Sequence, residues 1–366
     1  MEGYPWGGSE ELWAGAALWL AKRGQSVGVN VIRWPETAKP LKLLQQAGCA
    51  IHCRKQYGRL TRLLQRWTKV NPARRWLGSV RADLIVISQG GNSDGLIWAE
   101  YCKTAGLKYV LIVQAVSGHL WPMARLMNRL RAAYTGATHA YFVSQQNLEA
   151  MQTLLACKLP NGRVVWNPFK VDYDARLPFP PTDASFRLAC VARLDPAQKG
   201  QDLLLKVLAL EKWRKRNLSV SFVGQGPYEF ELHALARQWK LENVRWMGQV
   251  DAIEKVWADH HALVMPSRFE GMPLSLIEAL ICARPAIVTD VGGNAEILQD
   301  SVTGFIAAAP TVRLFDQALE RAWERRNEWE KMGATGAEVV RARVPKDPCA
   351  AFAQELESIM KCPQGS

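Results

Sequence analysis

The chain lacks several features that would place it outside the soluble globular enzymes. No apolar run approaches the roughly 18 residues that a membrane-spanning helix needs, and no internal repeat or low-complexity tract occurs. Among its eight cysteines only Cys49 and Cys53 are close together, and none forms a CxxC pair. This argues against a disulfide framework and a structural zinc site. Glu2 and Glu10 precede any apolar stretch, which is wrong for a secretory signal. We therefore expect a cytoplasmic protein with reduced thiols.

The size of the chain and its composition predict two domains. At 366 residues it exceeds what one hydrophobic core usually supports. Its hydrophobic fraction of 48% and charged fraction of 22% are those of an ordinary soluble protein.

Acidic residues are scarce in the first half, which carries the whole positive excess. Residues 1–165 hold 21 Lys and Arg against 8 Asp and Glu, whereas the remainder holds 25 against 26. The densest basic part, 54–81, has no acidic residue, and Leu60, Leu63, Leu64 and Trp67 recur in it at helical spacing. One interpretation is a basic amphipathic helix that binds anionic lipid headgroups or a phosphate-bearing acceptor. The other is a helix that packs through its apolar side and has a solvated basic face. No aromatic–basic motif of a nucleic-acid reader occurs, so no nucleic-acid partner is expected.

Short apolar, β-branched runs alternate with amphipathic stretches of helical length, which predicts parallel sheets covered by helices on both faces. The candidate strands are Ser26–Ile32, Leu84–Ser88, Tyr109–Gln114, Ala140–Ser144, Val164–Trp166, Phe186–Val191, Val220–Val223, Val244–Met247, Ala262–Met265 and Ala286–Thr289. Helical stretches between them include Glu10–Arg23, Asp94–Ala105, Gln201–Lys215 and Tyr228–Trp239.

A stretch rich in proline and acid, between Asn167 and Ser185, is typical of a linker. It predicts two doubly wound α/β domains, 1–167 and 168–344, that face each other across a cleft. A last helix, near Pro348–Met360 within 345–362, is expected to cross back to the first domain. Ligands of open α/β sheets bind beyond the carboxyl ends of strands, so the loops after strands are the places to look for chemistry.

The segment that follows the candidate strand Ala262–Met265 is the most informative in the chain. Its loop carries Glu270 and Gly271, and Pro273 suits the first position of the next helix. The free N–H groups of that helical turn favour an anion such as a diphosphate. Glu278 follows about a turn and a half later. The two glutamates suit hydroxyls on two parts of one extended ligand; the alternative is a helix cap followed by a solvated glutamate.

This segment resembles the signature of the family-four retaining glycosyltransferases of the GT-B fold, in which two glutamates stand eight positions apart. The resemblance implies that Glu270 contacts the donor sugar near its anomeric carbon and that Glu278 holds the nucleotide ribose. It also assigns the intervening Gly271, Met272 and Leu274 to the nucleotide-sugar site.

Arg193 and Lys199 lie in the turn that follows the candidate strand Phe186–Val191. In the same family an arginine and a lysine at this spacing neutralise the donor diphosphate. A leaving nucleotide diphosphate gains negative charge, and fixed cations stabilise that charge without reorganising. The resemblance therefore implies catalysis with no metal ion and no further cofactor; the alternative is two solvated basic residues at a turn.

Three glycine loops complete the resemblance. Gly224 and Gly226 follow the candidate strand Val220–Val223 and are similar to the family's loop beneath the nucleotide. The dinucleotide fingerprint would need glycine at position 229, which is glutamate, so an NAD site is rejected. The other two loops are similar to family loops near the donor, and each alone is typical of an ordinary turn; they are Gly293–Asn294 and Gly7–Gly8.

Three further positions are weaker candidates. His119 follows the candidate strand Tyr109–Gln114, and many family members carry a donor-contacting histidine in this loop, although nearer the strand end. It is a catalytic contact or an ordinary loop histidine. Asn92 is another candidate in a loop. Asp172-Tyr-Asp174 matches the DxD metal motif of a different transferase fold, but it lies in the expected linker and not after a strand, so we interpret it as chance.

The first domain departs from the family pattern at its beginning. Family members begin with a strand that leads into the glycine loop, whereas here the loop starts at Gly7 and Met1–Trp6 is too short for that strand. Either the true start lies upstream, or the first sheet lacks a central strand. The second case would leave unpaired backbone groups and an exposed edge.

Taken together, these residues predict a retaining transferase that uses a UDP- or GDP-sugar and a glycan or lipid-linked acceptor. The first domain would bind the acceptor and the second the donor. Two enzyme alternatives stay open, a sugar-nucleotide epimerase and a phosphorylase on the same fold. A third alternative is a non-catalytic protein that binds a membrane or nucleic acid through its basic half.

Overall fold

The computed structural model describes residues 6–54, 72–91, 93–118, 121–182 and 185–361. The chain divides into two compact units, one of residues 1–168 with 347–366 and the other of 169–346. The boundary predicted from the sequence lies one residue earlier.

Twelve strands occur in the described residues. They are β1 Gly28–Ile32, β2 Ala50–Arg54, β3 Ile85–Gln89, β4 Tyr109–Val113, β5 His139–Phe142, β6 Gly162–Val164, β7 Phe186–Val191, β8 Leu218–Val223, β9 Val244–Gly248, β10 Ala262–Met265, β11 Ala286–Thr289 and β12 Gly304–Ala307.

Sixteen α-helices lie between and around the strands of the same residues. They are α1 Gly8–Ala21, α2 Lys39–Gln46, α3 Pro72–Leu77, α4 Leu96–Thr104, α5 Met127–Thr135, α6 Gln145–Leu155, α7 Pro196–Lys199, α8 Gln201–Leu208, α9 Glu211–Arg214, α10 Glu229–Gln238, α11 Ile253–Asp259, α12 Leu274–Ile281, α13 Asn294–Ile297, α14 Val312–Glu324, α15 Trp329–Arg343 and α16 Pro348–Lys361. Two short 3₁₀ turns lie at Ala124–Leu126 and Arg326–Glu328.

The described residues of the first unit form two separate parallel sheets. Strands β3, β4, β5 and β6 form a four-stranded sheet in that order, and among these residues β1 pairs with β2 alone. Helix α1 packs against α16, and Gly15 permits the approach, because a Cβ there would lie 2.3 Å from Cys349 Sγ. The hydroxyl of Tyr141 on β5 donates to Glu355 of α16 at 2.8 Å. The C-terminal helix is thus part of the first unit.

The second unit is one six-stranded parallel sheet in the order β12-β11-β10-β7-β8-β9. From β7 the chain moves outward to β8 and β9, then returns to β10 on the other side of β7. This order is that of a doubly wound nucleotide-binding sheet, with its switch point between β7 and β10. Strands β10 and β11 are buried at every residue, as parallel strands covered on both faces must be. The chain is therefore an α/β protein with parallel sheets in two units.

Some elements differ from those predicted. Strands β2 and β12 were not predicted, because β2 carries polar residues and β12 begins with glycine. The helix predicted over Gln201–Lys215 is wrong in length, since α8 ends at Leu208 and a separate helix starts at Glu211. The strand predicted at Val164–Trp166 lies earlier, as β6.

The segment 169–182 lies within the predicted linker but belongs to the second unit. Side chains of that unit bind its backbone along its length. Tyr173 donates its hydroxyl to the Arg341 carbonyl at 2.7 Å, and Arg284 donates to the Pro178 carbonyl at 2.7 Å. His261 Nε2 lies 3.0 Å from the Pro181 carbonyl oxygen. The prolines and acids of this segment thus mark a boundary, but its backbone is fixed by side chains of the second unit.

Candidate functional site

The loops that follow β7 and β10 meet at the switch point of the second sheet. Gln198, in α7, accepts backbone hydrogen bonds from Arg268 at 2.8 Å and from Phe269 at 3.2 Å. Arg268 also forms an ion pair with Asp202 of α8. These bonds fix the loop after β10 against the short helix after β7. In a sheet of this kind the switch point is where ligands bind.

Lys199 and Glu270 form an ion pair between these two loops. The Lys199 Nζ lies 2.8 Å from both carboxylate oxygens of Glu270, and the Ser267 hydroxyl donates to one of them at 2.7 Å. The Glu270 side chain is 5% exposed and that of Lys199 is 22% exposed. A buried carboxylate needs such partners, because an isolated buried charge is strongly unfavourable. The structure therefore joins two of the predicted site residues directly.

Arg193 occupies the same loop and is held by its own neighbours. Its Nη2 donates to Asp195 at 2.8 Å and to the side chain of Gln198 at 2.9 Å. Its side chain is 33% exposed. A guanidinium held in this way offers fixed positive charge to a ligand with little loss of conformational entropy.

The predicted glycine loop after β8 lies directly on the loop after β7. A Cβ at Gly224 would lie 2.2 Å from the Ala192 carbonyl oxygen, and one at Gly226 would lie 2.3 Å from that of Leu194. The N–H of Leu194 also donates to the Gln225 carbonyl at 3.0 Å. Only glycine permits such close approach of two backbones.

The third loop of the second unit lies on the glutamate loop. The N–H of Gly293 donates to the Gly271 carbonyl at 2.7 Å, and a Cβ at Gly292 would lie 2.5 Å from the Glu270 carbonyl oxygen. Asn294 is fully buried and donates to the Thr289 carbonyl at 2.8 Å. Its Oδ1 has no hydrogen-bond partner among the described residues.

Glu278 is buried on α12, which excludes the solvated helical glutamate considered from the sequence. It is 5% exposed, and its Oε1 accepts the backbone N–H of Lys170 at 2.9 Å. Burial raises the pKa of Glu278 to about 7. The carboxyl is thus near the midpoint of its titration at neutral pH.

Helix α12 begins at Leu274, so the prediction that Pro273 is its first residue is wrong by one position. Pro273 is the N-cap, with extended backbone, and no side chain caps the helix. No side chain therefore competes for the N–H groups of its first turn, and anion binding there stays a prediction. Met272 is buried and Leu274 is half-buried beside them.

Gly7 and Gly8 lie in the first unit, at the start of α1. The Gly7 N–H donates to Glu10 Oε2 at 2.9 Å, and the Ser9 hydroxyl donates to the same oxygen at 2.9 Å. Burial raises the pKa of Glu10. Glu10 thus supplies the glutamate half of a capping box at the start of α1, and Gly7 has no side chain to supply the other half.

The structure tests several other predictions only in part or not at all. His119, Asn92 and residues 55–71 of the basic stretch 54–81 lie outside the described residues. In the DxD sequence, Asp174 is exposed and forms an ion pair with Lys346, and the Asp172 N–H donates to Glu254.

Over the part of the chain that the structure describes, no cluster of three His, Cys, Asp or Glu could hold a metal ion. No described helix is long and apolar enough to cross a membrane.

Three residues of the site were not singled out from the sequence. Ser267 bonds Glu270 and lies three positions before it, so the same motif could have indicated it. Gln198 joins the two loops through its backbone carbonyl, which no side-chain pattern predicts. Gly200 has φ of 66°, and a Cβ there would lie 2.1 Å from the Pro266 carbonyl oxygen. The sequence signal that could have indicated Gly200 is its position directly after Lys199.

Comparison with known proteins places this site in a family. The family model of the glycosyl transferases group 1 matches residues 185–325. D-rhamnosyltransferase WbpZ of Pseudomonas aeruginosa is 33% identical over 140 residues, which are 37% of this chain and 35% of that protein. The GDP-mannose-dependent alpha-(1-6)-phosphatidylinositol monomannoside mannosyltransferase of Mycobacterium tuberculosis is 28% identical over 296 residues, 74% of each chain.

The fold agrees with that of a solved structure over almost the whole chain. Anabaena Alr3699/HepE, solved in complex with UDP, aligns with a TM-score of 0.74, 17% identity and 97% of both chains covered. The family match covers the six-stranded sheet from β7 to β12, including the Lys199–Glu270 pair. Residues 185–325 therefore belong to the glycosyl transferases group 1, and the chain is a glycosyltransferase with the GT-B fold.

Proposed function

We propose that the chain transfers a sugar, with retention of anomeric configuration and without a metal ion, from a UDP- or GDP-sugar to a glycan or lipid-linked acceptor. The observation that carries the proposal is the Lys199–Glu270 ion pair at the switch point between β7 and β10. A doubly wound sheet binds nucleotides at this place. The second unit then binds the donor, and the first binds the acceptor.

The charges around this ion pair suit a nucleotide diphosphate. Arg193 lies on the loop after β7, Lys199 is the last residue of α7, and the first turn of α12, which no side chain caps, adds backbone N–H groups. When the bond from sugar to phosphate breaks, the diphosphate becomes more negative, and preformed cations stabilise it. A bound diphosphate would compete for Lys199, which leaves the carboxylate of Glu270 for hydroxyls of the sugar. Glu278, with its pKa about 7, would accept hydrogen bonds from the ribose.

The relatives support the donor class and leave its base open. The mycobacterial relative is described as GDP-mannose-dependent, and the Anabaena structure holds UDP. The same mycobacterial protein acts on a phosphatidylinositol monomannoside, which supports a lipid-linked acceptor here.

Nucleotide binding and product analysis test this proposal. UDP and GDP are added separately in a thermal-shift measurement, where a ligand at about 100 times its dissociation constant adds roughly 2.7 kcal/mol of stability. We expect one of them to stabilise the protein in the presence of EDTA, and Glu270→Gln to lose transfer while it keeps nucleotide binding. If neither nucleotide stabilises the protein, the proposed donor site is wrong.

Nuclear magnetic resonance of the product then identifies the reaction. A retaining transferase gives a glycoside with the anomeric configuration of the donor. Turnover of the sugar nucleotide with no acceptor would indicate an epimerase, and a requirement for inorganic phosphate would indicate a phosphorylase. Loss of activity with EDTA, restored by Mg²⁺, would contradict the metal-independent mechanism.

A further inference from the structure

The carboxylate of Glu278 is held by the backbone N–H of Lys170, the second residue of the second unit. That N–H donates to Glu278 Oε1 at 2.9 Å, and in the part of the chain that the structure describes no hydrogen bond reaches Oε2. Both oxygens of a carboxylate accept hydrogen bonds. One oxygen is therefore bonded to the protein, and the other is left for a ligand.

The segment that carries this N–H is fixed by contacts that do not involve Glu278. Arg341 of α15 donates to the Tyr173 carbonyl at 2.8 Å, and the Tyr173 hydroxyl donates back to the Arg341 carbonyl at 2.7 Å. The rings of Phe169 and Tyr173 stack with their centroids 6.0 Å apart. The position of the N–H is thus set by the segment and not by the glutamate that it binds.

The same arginine also fixes the helix that carries the glutamate. Arg341 donates to the carbonyl of Ile281, the last residue of α12, at 2.8 Å. Helix α15 lies close by, because a Cβ at Gly333 would be 2.0 Å from the Ala283 carbonyl oxygen just beyond α12. The N–H and the base of the Glu278 side chain are therefore held in one arrangement. A flexible side chain fixed in this way loses less conformational entropy when a ligand binds.

The hydrogen bond also favours the form of Glu278 that a hydroxyl donor needs. An ionised carboxylate only accepts hydrogen bonds, whereas a protonated carboxyl also donates one. Burial favours the protonated form and raises the pKa of Glu278 to about 7, while the N–H of Lys170 acts in the opposite direction. A ribose presents two adjacent hydroxyls, which donate best to the ionised form.

We infer that the backbone N–H of Lys170 is a positioning group for the nucleotide, which holds Oε1 of Glu278 so that Oε2 receives a ribose hydroxyl. The inference rests on the proposed function, in which Glu278 binds the ribose. The Lys170 side chain is exposed, so the contribution of this residue comes from its amide. Loss of the amide should therefore weaken the recognition of the ribose hydroxyls and leave the rest of the donor site intact.

Lys170→Pro and Lys170→Ala test the inference. Proline has no backbone N–H, whereas alanine keeps it and removes only the exposed side chain. Titration calorimetry gives the affinity of each protein for the nucleotide diphosphate that stabilises it, UDP or GDP, and for the 2′,3′-dideoxy analogue of that nucleotide. The readout is the ratio of these two affinities, which a general loss of structure does not change selectively.

The ratio should respond to the N–H alone. We expect the unchanged protein and Lys170→Ala to bind the ribonucleotide roughly tenfold or more tightly than the analogue, because the analogue lacks a charge-assisted hydrogen bond. In Lys170→Pro the ratio should fall by roughly fivefold or more, while the affinity for the analogue stays nearly unchanged.

An ester in place of the amide between Phe169 and Lys170 provides a second variant. It removes the N–H without the fixed φ of proline, and it should lower the ratio in the same way. Agreement between the two variants separates the loss of the N–H from any disturbance that proline causes in the segment.

Two outcomes would overturn this inference while the proposed function stands. The first is a ratio that is unchanged in both Lys170→Pro and the ester protein. The second is an equal loss of affinity for the two nucleotides, which would give the N–H a structural role only. Equal affinities for the two nucleotides in the unchanged protein would contradict the ribose role of Glu278 and would overturn the inference with it.

Discussion

Lys199 contacts both carboxylate oxygens of Glu270 at 2.8 Å, although the two residues are 71 positions apart in the sequence. The contact exists because β7 and β10 are neighbours in the sheet, which brings the loops after them together. The cation of one loop thereby compensates the buried charge of the other.

Replacement of Lys199 should affect both stability and nucleotide binding. Lys199→Met keeps most of the side-chain volume but leaves the Glu270 carboxylate without its cation. We expect the free energy of unfolding, measured with urea, to fall by about 3 kcal/mol. The affinity for the nucleotide diphosphate, measured by titration calorimetry, should fall as well, because a fixed cation is lost.

The double variant Lys199→Met/Glu270→Gln separates these two effects. Removal of both charges should recover much of the stability, since no buried charge is left unpaired, whereas the affinity for the nucleotide stays low. Lys199→Arg serves as the charge-conserving control. Unchanged nucleotide affinity in Lys199→Met would show that Lys199 serves stability alone.

The sequence could predict the parts of this site but not their contacts. Residues 193, 199 and 270 follow apolar runs that are strands, and strand ends are where ligands bind in such sheets. Which strand ends are adjacent depends on the order β12-β11-β10-β7-β8-β9, a property of long-range packing. The burial of Glu278 could not be predicted either, because its hydrogen-bond partner is the backbone N–H of Lys170, in the segment that was predicted as a linker.

The arrangement of strands in the first unit could be predicted only in part. Among the described residues the parallel strands of this unit form two separate sheets, with a cavity between β1 and β3. The size of that cavity could not be predicted, because it depends on how α1 and α16 hold the sheets. His119 and most of the basic stretch stay predictions, since they lie outside the described residues.

Titration of Glu278 should make the stability of the second unit depend on pH. Its pKa is raised to about 7 in the folded protein, from a model-compound value of 4.5, because the carboxyl is buried. The folded state therefore holds a proton more tightly than the unfolded state. The free energy of unfolding should fall as the pH rises from about 4.5 to about 7 and should level off above that range. Glu278→Gln should remove this slope in urea unfolding curves.

Nucleotide binding should release a proton from the same residue. If the ribose hydroxyls donate to Glu278, they favour its ionised form and lower its pKa. The calorimetric enthalpy near neutral pH should then vary with the ionisation enthalpy of the buffer in the wild-type protein, but not in Glu278→Gln. Glu10→Gln is the control, since Glu10 also has a raised pKa but lies in the first unit. A release of protons that persists in Glu278→Gln would assign it to another group.

The close approach of Gly292 to the glutamate loop predicts a local loss of function. Its φ is 56°, and a Cβ would lie 2.5 Å from the Glu270 carbonyl oxygen and 2.6 Å from that of Gly271. Gly292→Ala must therefore displace the loop that carries Glu270. We expect nucleotide affinity and sugar transfer to fall by roughly tenfold or more, since small misplacements of a catalytic group are costly.

Gly248→Ala is the matched control for that substitution. Gly248 also lies in the second unit and has a similar φ of 63°, but the nearest atom to its Cβ would be Gln225 Nε2 at 3.9 Å. Both variants share the strain of a positive φ, so only the contact with the glutamate loop differs. Equal losses of nucleotide affinity in the two variants would mean that backbone strain, and not displacement of Glu270, is responsible.

The contact between α1 and α16 should reverse the usual effect of replacing a helical glycine. Alanine in place of glycine stabilises an exposed helix by about 1 kcal/mol. At Gly15, however, the new Cβ would lie 2.3 Å from Cys349 Sγ and 2.9 Å from its Cβ, and overpacking of this kind costs about 1–3 kcal/mol. Gly15→Ala should therefore lower the Tm of the first unit, measured by calorimetry. Gly15→Ala/Cys349→Ala should restore part of it, because the sulfur is removed while the Cβ contact stays. A Tm that rises in Gly15→Ala alone would show that the two helices are not in close contact at this position.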